Sequence, residues 1–174
     1  MMQWLRWFWS SEDGASTVEF VIVFPVVFLV FMSTIELGLL MTRQIMLDRG
    51  LDLAVRQVRL GLVNPVTHDA LKQLICRGAL LVPDCINQLK LEMRPADPRA
   101  WTTLPADVDC VNRARPAEPV RGFTPGQSNE LMMLRVCSLF DPLFPTSGLG
   151  AQLPRVSGNA YALVSSTTFV IEPS

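Results

Sequence analysis

The sequence predicts an α+β protein in which a long N-terminal helix, apolar through its first half, carries a small antiparallel β-sheet head. Three observations lead there. From Ala15 to Thr42 the only ionisable side chains are Glu19 and Glu36. From Arg43 to Leu60 apolar residues return at three- and four-residue spacing, the period of one helix face. Beyond residue 87, segments such as Gln88–Arg94 alternate apolar and polar residues, as a half-buried strand does.

The first apolar run is long enough to cross a bilayer. A helix rises about 1.5 Å per residue, so about 20 residues span a hydrocarbon core of about 30 Å. Trp4, Trp7, Phe8 and Trp9 precede it and suit a membrane interface. A secretory signal peptide is the competing reading. Its basic region would hold only Arg6, however, and its apolar core would exceed the usual 7–15 residues. Pro25 removes one helical hydrogen bond and favours a kink there. Glu19 is the costly residue, because a carboxylate in lipid needs a partner, often from another chain. Glu36, about one span further on, is expected near the far interface, reaching headgroups or Arg43.

Past the run, Leu47, Leu51, Ala54, Val55, Val58 and Leu62 form the stripe that should pack on the head, with Arg43, Arg49, Asp52, Arg56 and Arg59 filling the other face. Gly61 and Asn64-Pro65 end the helix. A second, short helix follows, capped by Asn64 or Thr67 and burying Leu71, Leu74 and Ile75 before Gly78. Glu130–Phe140 and Asn159–Ile171 read as two further strands joined by a turn-rich crossover. The stretch 95–128 holds six of the chain's 13 prolines and little periodicity, so it reads as a long surface loop with Trp101 packed locally.

Composition narrows the function classes. The 174 residues suit one anchor and one small domain, and the mean hydropathy of +0.30 is high for a soluble domain. A net charge of −1, from 15 basic and 16 acidic residues without clusters, argues against a nucleic-acid surface. His68 is the single histidine, expected at the surface or as a cap. No phosphate loop, nucleotide fingerprint or zinc motif occurs, so neither an enzyme, a cofactor nor a metal is expected. Cys76, Cys85, Cys110 and Cys137 all lie beyond the apolar run, with no Cys-x-x-Cys pair. They read as two disulfides formed in an oxidising compartment, four buried thiols being the alternative. Of three connectivities, the short loop through Pro83 favours Cys76–Cys85, leaving Cys110–Cys137.

Glu12-Asp13-Gly14-Ala15, then Val18-Glu19-Phe20, then Pro25 behind the apolar stretch, resemble the N-terminus of a type IV pilin-like precursor, and more closely the TadE-like family of minor pseudopilins of the tight-adherence (Tad, or Flp) pilus. Ile35-Glu36-Leu37-Gly38, Phe140-Asp-Pro-Leu-Phe-Pro145 and Phe169-Val-Ile-Glu-Pro173 extend the resemblance to both ends of the chain. It implies a pilin-like fold and a leader over 1–14 that a prepilin peptidase removes between Gly14 and Ala15. It also implies that Glu19, beside Phe20, pairs with the freed amine of a neighbouring pilin or pseudopilin subunit.

The expected organisation is a leader over 1–14, a transmembrane segment over 15–42 and a periplasmic head over 43–174 that includes the helix extension. The protein is then a single-pass protein of the bacterial inner membrane, acting as a minor pseudopilin or assembly subunit whose partners are the peptidase, other Tad pilins and the bilayer. Arg43, Arg49, Arg56 and Arg59 on the head side, against Arg6 alone before the span, oppose this orientation under the positive-inside rule. The cysteines and the resemblance favour it. The rival readings are an unprocessed anchored scaffold of a secretion system and, further off, a ligand-binding sensor head.

Overall fold

The computed structural model describes residues 15–97, 99–100, 105–115, 119 and 122–173. The expected leader over 1–14, with Gly14, Arg6 and the N-terminal tryptophans, and the expected packing of Trp101 lie outside the described residues.

Helix α1 (Ala15–Arg59) runs 45 residues, about 67 Å, and continues through Pro25 without interruption. It ends where Gly61 takes a positive φ of 67°, a conformation that glycine reaches without a Cβ clash. Helix α2 (His68–Gly78) follows, and the Thr67 side chain accepts the Ala70 N–H as its N-cap. A single turn, α3 (Cys85–Gln88), leads into strand β1 (Leu89–Pro95). Strand β2 (Leu131–Phe140), the short helix α4 (Gly148–Gln152) and strand β3 (Tyr161–Val170) complete the chain. The strands form an antiparallel sheet in the order β1-β2-β3. This is the α+β, pilin-like arrangement that the sequence predicts.

The second half of α1 and helix α2 cover one face of the sheet. Leu47, Leu51, Ala54, Val55 and Val58 of α1, with Leu71 and Ile75 of α2, are buried against Leu89, Leu91, Met93, Met132, Leu134, Val136 and Phe169. The predicted stripe is therefore the core face, except for Leu62, which lies past the helix end and is exposed. The two helices cross at glycines. A Cβ on Gly50 would stand 2.5 Å from the Ile75 carbonyl, and one on Gly78 would stand 2.7 Å from the Gly50 Cα. Gln44 ties α1 to β3, donating to both Asp48 Oδ1 and the Val164 carbonyl.

The other face of the sheet corrects the expectation of a half-buried strand. Lys90 and Glu92, two of the three polar positions of β1, are buried. The register places Lys90 opposite Cys137 and Glu92 opposite Arg135. The chain after β1 folds back over this face. Lys90 Nζ donates to Asp109 Oδ1 at 2.9 Å and to the Pro119 carbonyl. Arg135 binds Glu92 Oε2 through Nε at 2.9 Å and through Nη2, and it also donates to the carbonyls of Pro105 and Asp107. The Cys110–Cys137 disulfide fastens the same segment to the middle strand, with Val108, Val111 and Leu139 packed around it. Cys76–Cys85 closes the other disulfide, joining α2 to α3 across a Cα–Cα distance of 5.6 Å. The predicted surface loop is thus a second covering layer for the sheet.

A buried ion pair broken on one side leaves an unpaired charge, at a cost of about 3–5 kcal/mol, whereas replacing both members by apolar residues is often neutral. Glu92→Ala should therefore lower the urea midpoint of the detergent-solubilised, oxidised chain markedly. A Glu92→Leu, Arg135→Met double variant should recover most of that loss. Equal destabilisation by the single and double variants would contradict this account of the layer.

Candidate functional site

Among the described residues, most of the exposed large apolar side chains lie on α1. Phe20, Val21, Ile22, Phe24, Val26, Val27, Val30 and Phe31 are all exposed. An 18-residue window of this helix reaches a mean hydropathy of 2.5 with none of it buried. Side chains four apart lie on one helix face. Phe20, Phe24 and Phe28 accordingly form a ladder, with ring centroids 5.0 and 5.7 Å apart. Glu19 stands at the foot of that ladder and, with Phe20, Val23, Phe24 and Val27, lines a shallow groove along the helix. Among the described residues Glu19 has no hydrogen-bond or ion-pair partner. Ala15 is the first described residue of the helix.

The other carboxylate of the run behaves in the opposite way. Glu36 is only 3% exposed. Its Oε1 and Oε2 both accept the Leu143 N–H at 3.1 Å, and Oε2 accepts the Phe144 N–H at 3.0 Å. The expectation that Glu36 reaches headgroups or Arg43 is corrected. The Asp141-Pro-Leu-Phe turn offers free backbone donors to a carboxylate that would otherwise be buried alone, while Arg43 lies over the Phe140 ring, 4.9 Å from its centroid. The signal for Glu36 was present as the second charge in an apolar run; the turn that receives it is more than 100 residues away.

The segment that Glu36 holds is braced from several sides. The Tyr161 hydroxyl donates to the Gly150 carbonyl of α4. Burial pushes the Tyr161 pKa up, the Glu36 carboxylate adds to this and Arg155 opposes it. What this hydrogen bond adds to stability is therefore complete below about pH 10 and is lost as pH rises through the raised value. Arg155 donates to the Pro145 carbonyl and to Asn159 Oδ1. Gly148, at φ 55°, lies directly on α1: a Cβ there would collide with Ser33 Oγ and come within 3.8 Å of the Leu29 carbonyl.

A concavity of the head gathers His68, Asp69, Lys72, Lys90, Asn112, Arg113 and Arg115. Two of its cations already have carboxylate partners, Lys90 with Asp109 and Arg113 with Asp141. Burial lowers the Lys72 pKa, with Asp69 acting the other way. His68 is less exposed than expected for a surface residue, its ring meeting Phe123 edge-on at 5.8 Å. No group of three or more His, Cys, Asp or Glu suited to a metal occurs among the described residues.

The residues singled out in the sequence therefore do not form one site. Glu19 and Phe20 lie at one end of α1 and both disulfides lie in the head, with Glu36 marking the junction about 25 Å along the helix from Glu19. Removing the Glu36 acceptor would take the shared partner from the part-buried N–H groups of Leu143 and Phe144, at about 1–3 kcal/mol. Glu36→Ala should accelerate hydrogen exchange of the Leu143 and Phe144 amides about 5- to 150-fold while Leu134 and Val136 keep their protection. Unchanged exchange at 143 and 144 would remove Glu36 from this role.

No curated protein and no solved structure matches this chain. The family model described as TadE-like protein matches residues 14–56. That span contains Gly14, Ala15, the exposed ladder with Glu19, the buried Glu36 and most of the core-facing stripe. From Gly14 to Arg56, the chain is similar to the TadE-like family.

Proposed function

We propose that the protein is a minor pseudopilin or assembly subunit of a Tad/Flp-type pilus. The first part of α1 crosses the bacterial inner membrane once, and the head lies in the periplasm. The observation that carries this reading is the pairing of a long exposed apolar helix with one unpartnered carboxylate, Glu19, near its start, inside the span that matches the TadE-like family. A prepilin peptidase cuts after Gly14 and frees the Ala15 amine. In apolar surroundings that amine, on a neighbouring pilin or pseudopilin, is the counter-charge that Glu19 needs. The role is structural, and the chemistry of the site is ion pairing. The two disulfides support a head outside the cytoplasm, since disulfides persist in oxidising compartments.

Three measurements test the reading. In cells with the peptidase, N-terminal sequencing of the membrane-bound protein should return Ala15 as the first residue, and Gly14→Leu should retain the leader. An intact Met1 in those cells favours the unprocessed scaffold instead. Glu19→Ala should insert, fold and form both disulfides while pilus assembly fails; normal pili at normal protein levels would overturn the role given to Glu19. Orientation is tested by thiol alkylation of unreduced cells, which should label none of the four cysteines. Labelling of all four would put the head in the cytoplasm, where the arginine distribution points.

A further inference from the structure

We infer that the crossover between β2 and β3 is a membrane-seating foot, through which the head rests in the bilayer interface beside its own helix. The inference rests on the reading that α1 spans a membrane and goes beyond it by giving the head its own lipid contact.

Position is the first argument. The crossover does not project into solvent away from the anchor; it is fastened to α1 within the apolar run. Glu36 takes the N–H groups of Leu143 and Phe144. Gly148 lies against Ser33 and Leu29, and Leu149 shares a shallow apolar groove with Leu29, Val30, Ser33, Thr34 and Leu37. A span of about 20 residues that starts at Ala15 ends at about Thr34, on the turn of helix that the crossover grips. The whole run from Ala15 to Thr42, ionisable only at Glu19 and Glu36, would rise about 42 Å against a hydrocarbon core of about 30 Å. The surplus has to leave the hydrocarbon somewhere, and the foot covers α1 at the level where it does so.

Composition is the second argument. From Pro142 to Pro154 the chain carries no ionisable side chain. Leu143 is 54% exposed, and Leu149 and Leu153 are half-buried beside the exposed Ala151 and Pro154. An exposed leucine in a segment without charge, beside the exposed apolar side chains of α1, fits the lipid interface better than water. Arg155 stands directly after the segment, exposed and braced on Pro145 and Asn159. A cation at that level suits lipid phosphates, as basic residues at the ends of spans do.

Rigidity is the third argument. Glu36, Tyr161 and Arg155 each bond a carbonyl or N–H group of the segment, so the foot keeps one depth relative to α1. The head is thereby held upright on the membrane and cannot swing about a single helix.

The full chain, reconstituted in phosphatidylcholine–phosphatidylglycerol vesicles with a phosphatidylcholine bearing a diazirine near the ester carbonyl, tests this by photolabelling and peptide mass spectrometry. Adducts are expected on peptides from residues 18–37 and from 142–154, with none on helix α2. Leu143→Lys should abolish the adducts on 142–154 and leave those on α1. Labelling of α1 without the crossover would overturn the foot while leaving the spanning helix intact. Labelling of neither would overturn the spanning helix and the foot with it. Chain-to-chain adducts at the crossover in place of lipid adducts would identify a subunit contact and reject the lipid seat.

Discussion

A carboxylate buried in the middle of a long helix is tolerated only where donors meet it, and Glu36 obtains them from the backbone of a distant turn. The remaining architecture follows from that requirement. The turn has to stand at the level of Glu36, which brings α4 onto Leu29 and Ser33 and carries β3 up alongside the second half of α1. One hydrogen-bonded charge thus sets where along a helix of 45 residues the head begins. Above that level the helix is amphipathic and packed; below the turn that α4 covers, from Val18 to Phe28, it is exposed and, Glu19 apart, apolar. A single secondary-structure element thus carries both an open apolar surface and a packed core face.

The head itself is small and is stabilised on two different principles. Toward α1 the sheet is closed by aliphatic packing around Leu47, Leu51, Leu91, Leu134 and Val136, the kind of burial worth about 25 cal/mol per Å². Away from α1 it is closed by an irregular segment with few apolar side chains, held by two buried ion pairs and a disulfide. Buried pairs add little net stability, but each charge has few places where its bonds can be satisfied. Arg135 illustrates this: its guanidinium serves Glu92 and two carbonyls of the covering segment together. Those bonds also answer the backbone requirement of a segment that has no ladder of its own.

The two glutamates of the apolar run show how the same chemistry takes opposite roles. Glu36 is satisfied within the chain, so it orients the head. Glu19 lies about 25 Å along the helix, exposed among phenylalanines and without a partner among the described residues. A residue of the first kind belongs to folding, and the proposed function gives one of the second kind to assembly. The proposed pseudopilin role gives each of them a place, with the association chemistry at the start of the helix and the positioning chemistry at the junction.

Much of this was determined by local sequence. The apolar run, the stripe from Leu47 to Val58, the stop at Gly61, a cap at Asn64 or Thr67 and the three strands are all patterns with periods of a few residues; the structure places them and selects Thr67. The resemblance carried by Val18-Glu19-Phe20 depends on neighbours in the chain and was equally legible. What the tertiary structure decided is the fate of polar residues whose partners are distant in sequence. Lys90 and Glu92 alternate with leucines as solvent-facing residues of a strand would, and only the return of the chain through Asp109 and Arg135 buries them. Glu36 looks like an interfacial acid until Leu143 and Phe144 arrive to bind it, and His68 looks like a surface cap until Phe123 covers its ring. Periodicity reports which face a side chain occupies. It carries no information on what a segment dozens of residues away will lay over that face, because that depends on loop closure and on the search for hydrogen-bond partners across the whole fold.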